Sequence, residues 1–341
     1  LGEVARYARE DLESCTAMMD GRLLAGDESL YVEFLARLYK KVPKRTVTRL
    51  NNWRLQRIEA RQSVQLLEPN VKESPGGLRE MQVFEWALKA RARSSAIDAL
   101  WGQFLDVGDV ESLARSRAFL WRVRHELHFA VGRKRDVLDH DLKPQIAAEM
   151  GYVDEGLELA AERFMRDYYL QARTVYHLVE LAFKRLNRKP RNSSRSMYLE
   201  RGVAAIDGEI VLADGEDYFA EKPERLLSLF LTAQMKNLEL SEEAQRTVRA
   251  CLHLIDDSVR RSSEARNTFL KILKRKYRTA LTLRRLHDLG VLGAYLPEFG
   301  GLTCLVQYDI YHIYTVDEHT LVALESLEAL GQQGGPLAEL L

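Results

Sequence analysis

The segment from residue 68 to residue 80, EPNVKESPGGLRE, concentrates residue types that can bind a phosphate, and it is called the PGG loop below. Two glycines before a predicted helix let the backbone approach a ligand closely, and free N–H groups at a helix start favour an anion. Basic side chains add charge-assisted hydrogen bonds to phosphate, and a carboxylate can hold Mg²⁺. The candidate nucleotide-binding residues are Lys72, Gly76, Gly77 and Arg79, and the candidate Mg²⁺ ligand is Glu80.

An ordinary turn explains the same letters. Pro-Gly-Gly is a common turn sequence, and charged residues are frequent around a helix start. The residue types alone therefore leave two interpretations open, a phosphate site and a structural turn.

A second candidate is a basic stripe. Arg117, Trp121, Arg124 and His128 are spaced so that they share one face of a helix. The stripe either faces a nucleotide or an acidic partner, or it is solvated or paired with acids on a neighbouring helix.

A third candidate is the histidine-rich stretch QYDIYHIYTVDEHT. His312, Asp317 and His319 combine imidazole and carboxylate, which suits a transition metal, although histidines with an internal or surface role fit equally well. His287 and Asp288 are adjacent on a predicted helix and point in different directions, so we do not expect them to form a ligand pair.

The first half of the chain is predicted to form successive helices that position these candidates. Asp27 begins one that stops before Pro43, and others cover 46–65 and 78–93. Asp109 is expected to cap a longer helix that ends at Gly132. Its predicted buried stripe is Leu113, Leu120, Val123 and Leu127. A further helix is predicted over 155–187, with Leu157, Phe164, Leu170 and Leu178 among its apolar positions.

The second half contains the clear β signal. Residues 198–206 and 209–212 flank Asp207-Gly208, a strong hairpin turn, and Pro223 is expected at the first position of a helix. Helices are predicted over 241–258, 265–275 and 278–289. The expected fold is mainly α, with multi-helix domains and one small β-hairpin insertion.

Composition excludes several classes of protein. The 341 residues carry 50 basic and 50 acidic side chains, so a globally basic nucleic-acid binder is not expected. Three distant cysteines favour a reducing, cytoplasmic compartment, and no apolar run approaches the ~18 residues of a membrane span. The sequence does not start with Met, and we expect a piece of a longer protein.

Six blocks in order resemble the bifunctional uridylyltransferase/uridylyl-removing enzymes that modify the PII nitrogen-signalling protein. EPNVKESPGGLREMQ at 68–82 resembles the signature of that family. The other blocks are RLLAGD at 22–27, FLWRVRHELHFAVGRKRDVL at 119–138, ERFMRDYYLQAR at 162–173, GVLGAYLPEFG at 290–300 and YDIYHIYTVDEHTL at 308–321. Two departures stand out, since Ser74 replaces a family glycine and Glu80 replaces an aspartate.

The resemblance implies Mg²⁺-dependent transfer of UMP from UTP to a PII tyrosine, and its hydrolytic removal, in nitrogen metabolism. The expected organisation is a helical domain over 1–185, a basic linker over 186–195 and a hairpin and helical bundle over 196–306. The resemblance adds a truncated HD domain over 307–341. His319 matches the first HD metal ligand. The family's D-x-D metal pair and its later His-Asp pair are missing, so we expect neither a complete HD metal site nor turnover by this chain.

Alternatives to the catalytic interpretation remain. The chain is equally compatible with a non-catalytic helical connector that docks the PII partner, or with a regulatory paralogue that binds no nucleotide. We also expect the apolar side of the truncated HD helix to lack its usual cover. That side consists of Val316, Leu321, Leu324 and Leu327.

Overall fold

The computed structural model describes residues 10–61, 67–188, 196–306 and 314–333. These residues form two compact units, one ending at residue 188 and the other starting at residue 196. The mainly α class with a small β insertion is confirmed. Most of the predicted linker over 186–195, and His312 with its neighbours in 307–313, lie outside the described residues, as do 334–341.

The first unit is helical. Its α-helices are α1 (Leu12–Met19), α2 (Glu28–Lys41), α3 (Thr46–Arg61), α4 (Leu78–Ala92), α5 (Val107–Val131), α6 (Lys143–Glu149) and α7 (Ala160–Asn187), with 3₁₀ turns at Asp98–Gln103 and His140–Leu142. Asp27 caps α2 as predicted, because its side chain accepts a hydrogen bond from the Ser29 N–H at 2.7 Å.

Helix α5 has the predicted buried stripe, but it does not begin where predicted. The buried positions of α5 include the four expected ones, and Gly132 ends the helix with φ +68°. The predicted cap Asp109 is wrong. Helix α5 begins at Val107, after Asp106 in extended conformation, so Asp109 lies in the first turn, where an acidic side chain still favours the helix dipole.

Helix α7 starts five residues later than predicted. Leu157 and Leu170 are exposed, so their assignment to the apolar face is wrong, whereas Phe164 is buried. The face that packs inward repeats every three or four residues, through Phe164, Tyr168, Ala172, Val175 and Val179. This face places α7 against the PGG loop and α4.

The second unit contains a four-stranded sheet in the order β1 (Ser196–Glu200), β2 (Val203–Ile206), β3 (Glu209–Leu212) and β4 (Glu239–Leu240). The first three strands are antiparallel and β4 adds in parallel. The predicted hairpin at Asp207-Gly208 is confirmed, since both residues have positive φ. The predicted single strand over 198–206 is wrong, because the chain turns at Gly202, which has φ +79°.

Helices cover the rest of the second unit. They are α8 (Asp217–Ala220), α9 (Arg225–Lys236), α10 (Glu242–Ala250), α11 (Asp257–Arg261), α12 (Ser263–Leu273), α13 (Thr279–Asp288), α14 (Val291–Tyr295), α15 (Pro297–Gly301) and α16 (Val316–Gln333), with a 3₁₀ turn at Leu252–Leu254. Pro223 precedes α9 by two residues and is not its first residue, contrary to prediction. The predicted helix over 241–258 is broken, because Asp256 caps the separate helix α11.

Helix α16 packs on the core of the second unit. Leu321 is buried and Leu324 packs against the same cluster, so the expectation that this face lacks cover is wrong for both residues. Glu328 accepts the N–H groups of Thr279 and Ala280 at 2.7 and 3.2 Å and so caps α13. The packing of α16 on α13 covers part of this apolar face, and the sequence alone did not predict that packing.

Among the described residues, every helix is too short or too polar to traverse a lipid bilayer.

Candidate functional site

The PGG loop is held in shape by its own side chains. Asn70 Oδ1 accepts the N–H groups of Lys72 and Glu73 at 3.1 and 2.8 Å, and Ser74 Oγ accepts the Asn70 N–H at 2.9 Å. These are the bonds of an Asx-type turn. Ser74 therefore has a structural role here.

The N–H groups at the start of α4 already have partners. Those of Leu78, Arg79 and Glu80 donate at 2.8–3.1 Å to carbonyl oxygens of the loop itself. The acceptors are Val71, Lys72 and Gly77. The expectation that this helix start offers free donors to an anion is wrong, because the loop folds back over the first turn.

The two glycines are required by close packing. Gly76 has φ +74°, and a Cβ placed on it would lie 2.1 Å from the carbonyl oxygen of Ala172 on α7. A Cβ on Gly77 would lie 2.8 Å from the carbonyl oxygen of Val71. The Gly76 N–H donates to Glu80 Oε2 at 3.3 Å, and the Gly77 N–H donates to the Ser74 carbonyl at 2.8 Å. Both glycines therefore serve contact between protein segments.

Glu80 fastens the loop to two helices. Its Oε1 accepts a hydrogen bond from Arg54 Nε at 3.2 Å, and both side chains are almost completely buried. Arg54 also donates to Glu180 Oε2 from both terminal nitrogens, at 2.9 and 2.8 Å. Burial raises the pKa of Glu80 to about 7, and the nearby Glu180 charge acts in the same direction, while Arg54 and the Gly76 N–H oppose them.

This environment does not fit Mg²⁺ at Glu80. Both carboxylate oxygens accept hydrogen bonds from the protein, and the nearest charge is the Arg54 guanidinium. Mg²⁺ needs several oxygen ligands in near-octahedral geometry. The described part of the chain contains no group of three or more side chains suited to a metal. Of the roles open to Glu80, the geometry supports orientation of the loop.

The surface beside the loop carries an excess of positive charge. Glu73 accepts hydrogen bonds from Arg57 and from Arg79 Nη2, the latter at 3.3 Å, and its carboxylate lies 3.6 Å from Lys72 Nζ. One carboxylate therefore serves three cations. We call Arg57, Lys72 and Arg79 the cationic cluster.

Lys72 lies among several positive charges, and its pKa reflects them. Burial lowers the pKa of Lys72, and the charges of Arg79, Lys134 and Arg124 lower it further, while Asp136 acts in the opposite direction. A bound anion would relieve this repulsion. The cationic cluster is therefore chemically suited to phosphate, through side chains and not through the loop backbone.

The basic stripe on α5 is largely paired. Arg117 Nη1 lies 3.0 Å from Glu85, and both Arg124 Nε and His128 Nε2 contact Asp136 Oδ1, at 2.8 and 3.0 Å. Burial would raise the pKa of Asp136, but the hydrogen bonds from Arg124 and His128 outweigh it and hold the pKa below its usual range. Pairing with an acid on a neighbouring helix is confirmed for Arg117, since Glu85 lies on α4, whereas Arg124 and His128 pair with Asp136 in the segment that follows α5.

The described residues of the histidine-rich stretch differ in their exposure to solvent. His319 is exposed in the first turn of α16, whereas Asp317 is buried. Asp317 Oδ2 lies 3.1 Å from His287 Nε2 on α13 and accepts the Cys304 N–H at 3.0 Å. His287 thus pairs with a residue thirty positions away and not with Asp288, a contact that helical spacing cannot reveal.

Comparison with known proteins gives two family matches, one in each unit. Residues 46–183 match the family model described as GlnD PII-uridylyltransferase, and residues 205–295 match the model described as Uridylyltransferase GlnD third domain. Curated proteins named bifunctional uridylyltransferase/uridylyl-removing enzyme are 34% identical in Phenylobacterium zucineum and in Cereibacter sphaeroides, and 31% identical in Azospirillum brasilense.

The alignments cover 94–99% of this chain. The chain belongs to the bifunctional uridylyltransferase/uridylyl-removing enzyme family. It spans 36–38% of the length of these relatives, so it corresponds to part of each of these enzymes. No solved structure matches the chain.

Proposed function

We propose that this chain is the central region of an enzyme that transfers UMP from UTP to a tyrosine of PII and later removes it. Within that enzyme, the side chains of Lys72 and Arg79 contact the nucleotide phosphates. The observation that carries this assignment is the shared carboxylate: Glu73 pairs with Arg57, Lys72 and Arg79 beside the PGG loop.

The loop acts indirectly in this proposal. The Arg79 N–H is bonded to the Lys72 carbonyl at 2.8 Å, so the fold of the loop sets the positions of both cations. Gly76, Gly77 and Glu80 keep that fold rigid. Mg²⁺ would arrive with the triphosphate and be held by ligands other than Glu80.

The isolated chain is expected to have no turnover in either direction. The resemblance assigns His319 as the first ligand of the hydrolytic metal site and assigns no other ligand of that site within this chain. Incubation of the chain with PII, UTP and Mg²⁺, followed by mass spectrometry of PII, should show no uridylylated tyrosine. Detectable modification would refute this expectation.

Binding can be tested without turnover. Titration calorimetry with UTP and Mg²⁺ should give an affinity that falls about tenfold in Lys72→Ala and in Arg79→Ala, because charge-assisted hydrogen bonds contribute about 1.5–3 kcal/mol each. Lys222→Ala removes the same charge from an exposed ion pair in the other unit and serves as the control. Equal affinities in all four proteins would remove the phosphate role.

A second candidate is favoured by the closed PGG loop. A helical connector that docks PII and binds no nucleotide agrees with a loop whose N–H groups are already bonded to its own carbonyl oxygens. Binding of PII to the chain, together with no heat from UTP in the wild-type protein, would support this candidate over the first.

A further inference from the structure

One stretch of the second unit is strongly basic and contains no acidic residue. Residues 265–287 include eight lysines and arginines and no aspartate or glutamate, although the whole chain carries 50 basic and 50 acidic side chains. A local excess of one sign creates a positive surface potential that attracts an anionic partner. Whether this excess persists in the folded unit depends on acidic residues from other elements.

Other elements neutralise a minor part of this charge. Arg284 and Arg285 pair with carboxylates of α16 and β4. The remaining cations belong to α12 and to the loop before α13, and they form no ion pair with a carboxylate in the described part of the chain. They are Arg266, Lys271, Lys274, Arg275, Lys276 and Arg278, and all except Arg278 are exposed. We call residues 266–278 the basic segment.

Large apolar side chains are exposed among these cations. Leu270, Leu273 and Tyr277 keep 40, 41 and 54% of their surface accessible to solvent. The two leucines lie on the solvent side of α12, because Ala265 and Ile272 on its other side are buried in the core of the unit. A helix that presents leucines and basic residues together is typical of helices that lie at a bilayer interface.

This mixture of charged and apolar groups decides among the anionic partners. The phosphates of a nucleic acid would pair with the lysines and arginines, but they would leave the two leucines in water. An anionic bilayer offers negative headgroups to the cations and, directly beneath the headgroups, hydrocarbon to the leucines and the tyrosine ring. The composition of the basic segment therefore favours a lipid surface over a polynucleotide.

We propose that the basic segment attaches the second unit to an anionic phospholipid surface. Its cations contact the headgroups, and Leu270, Leu273 and Tyr277 insert between them. Clusters of roughly four to eight lysines and arginines bind anionic lipids, and each such residue strengthens the binding about fivefold. Because most of this attraction is electrostatic, the attachment is reversible and is weakened by salt.

Co-sedimentation with lipid vesicles tests this attachment on the full 341-residue chain. At low salt, the chain should sediment with phosphatidylcholine vesicles that contain about 30% phosphatidylglycerol, an anionic lipid. It should stay in the supernatant with vesicles of phosphatidylcholine alone. Raising the salt concentration to about 0.5 M should release the chain from the anionic vesicles.

Variants at exposed positions locate the contact. The double variant Lys274→Ala with Lys276→Ala should weaken binding to the anionic vesicles about twentyfold, because two cations are lost. Lys40→Ala with Lys41→Ala removes two exposed lysines from the last turn of α2 and is the matched control, with no change expected. Leu273→Gln leaves every charge in place and should weaken binding about fivefold, because the inserted apolar surface is smaller. Thermal melts confirm that each variant is folded.

Several results would overturn the proposal. The wild-type chain would fail to sediment with the anionic vesicles, or would sediment equally with both kinds of vesicle, or the Lys274→Ala/Lys276→Ala variant would bind as the wild type does. Unchanged binding by Leu273→Gln would overturn the insertion of apolar side chains.

Two controls assign the binding elsewhere if the proposal is wrong. Loss of vesicle binding in Lys72→Ala would place the lipid contact in the cationic cluster of the first unit. Binding of a fluorescent single-stranded oligonucleotide that is lost in Lys274→Ala/Lys276→Ala, without vesicle binding by the wild type, would assign the basic segment to nucleic acid. The proposal predicts unchanged vesicle binding in Lys72→Ala and weaker binding of the oligonucleotide than of the anionic vesicles.

Discussion

The PGG loop and helix α16 are each held on their own unit by charged side chains, but in different surroundings. In the first unit, Arg54 and Glu80 are buried and the loop backbone touches α7 too closely to admit a Cβ. In the second unit, Arg284 donates to Glu318 at 2.9 and 3.2 Å and to Glu325 at 2.7 Å. Arg284 and Glu325 are partly exposed, whereas Glu318 is buried.

The difference teaches how each region tolerates change. Buried backbone contact is all-or-none, since no rotamer relieves an overlap with a carbonyl oxygen. When a partly exposed ion pair is broken, water solvates the remaining charge, so the free energy of unfolding falls little. We therefore expect the PGG loop to respond sharply to single substitutions and the α13–α16 contact to respond weakly.

The largest effect is expected from Gly76→Ala. The positive φ costs about 1 kcal/mol, and the overlap with the Ala172 carbonyl adds about 3 kcal/mol. Gly132→Ala is the matched control, because Gly132 has φ +68° with nothing within 4 Å of its added Cβ. Urea unfolding followed by circular dichroism should show a fourfold difference in destabilisation. Equal losses would mean that the contact with α7 is not rigid.

Arg54→Met should come next, with a loss of about 3 kcal/mol, because it leaves the Glu80 carboxyl buried without its cation. The double variant Arg54→Met with Glu80→Gln removes both charges and should recover part of the loss. Urea unfolding of the two variants measures the difference. No recovery in the double variant would show that packing of Arg54, and not its charge, holds the loop.

The pH dependence of stability should show a smaller effect of Glu80. Its pKa in the folded protein is raised to about 7, so the folded state holds a proton that the unfolded state has released above pH 4.5. Stability from this group is present below pH 4.5 and is lost as the pH rises through 7. Glu80→Gln should flatten the curve between pH 5 and pH 8. A parallel curve in the variant would contradict the assignment.

Arg284→Ala should cost about 1 kcal/mol in the second unit, less than Arg54→Met, since Arg284 and Glu325 are partly exposed. Arg115→Ala, which removes a fully surface-exposed pair with Glu111, should change the melting temperature least. If Arg284→Ala lowered the free energy of unfolding by more than Arg54→Met does, the proposed difference between the two units would be wrong.

Features that depend only on residues close together along the chain could be predicted from the sequence. The Asp27 cap, the Gly132 helix end and the Asp207-Gly208 hairpin follow from local backbone preferences, and all three are confirmed. The two-residue strand β4 carries too little pattern to be recognised.

Contacts between distant residues could not be predicted. Arg54 pairs with Glu180, which lies 126 positions away, and no local pattern indicates that contact. The same limit explains the candidate site. The residues of the PGG loop are recognisable in the sequence, but the close contact of Gly76 with Ala172 on α7 is not.

The central claim is that the glycines fasten the loop while side chains meet the phosphates, and one NMR titration tests it. Pro75-Gly76 is the only Pro-Gly pair in the sequence, so labelling proline with ¹³C and glycine with ¹⁵N isolates the Gly76 amide. On addition of tripolyphosphate, the account predicts an unmoved Gly76 amide signal and about tenfold weaker binding in Lys72→Ala. A large shift of that amide, with full binding in Lys72→Ala, would contradict it.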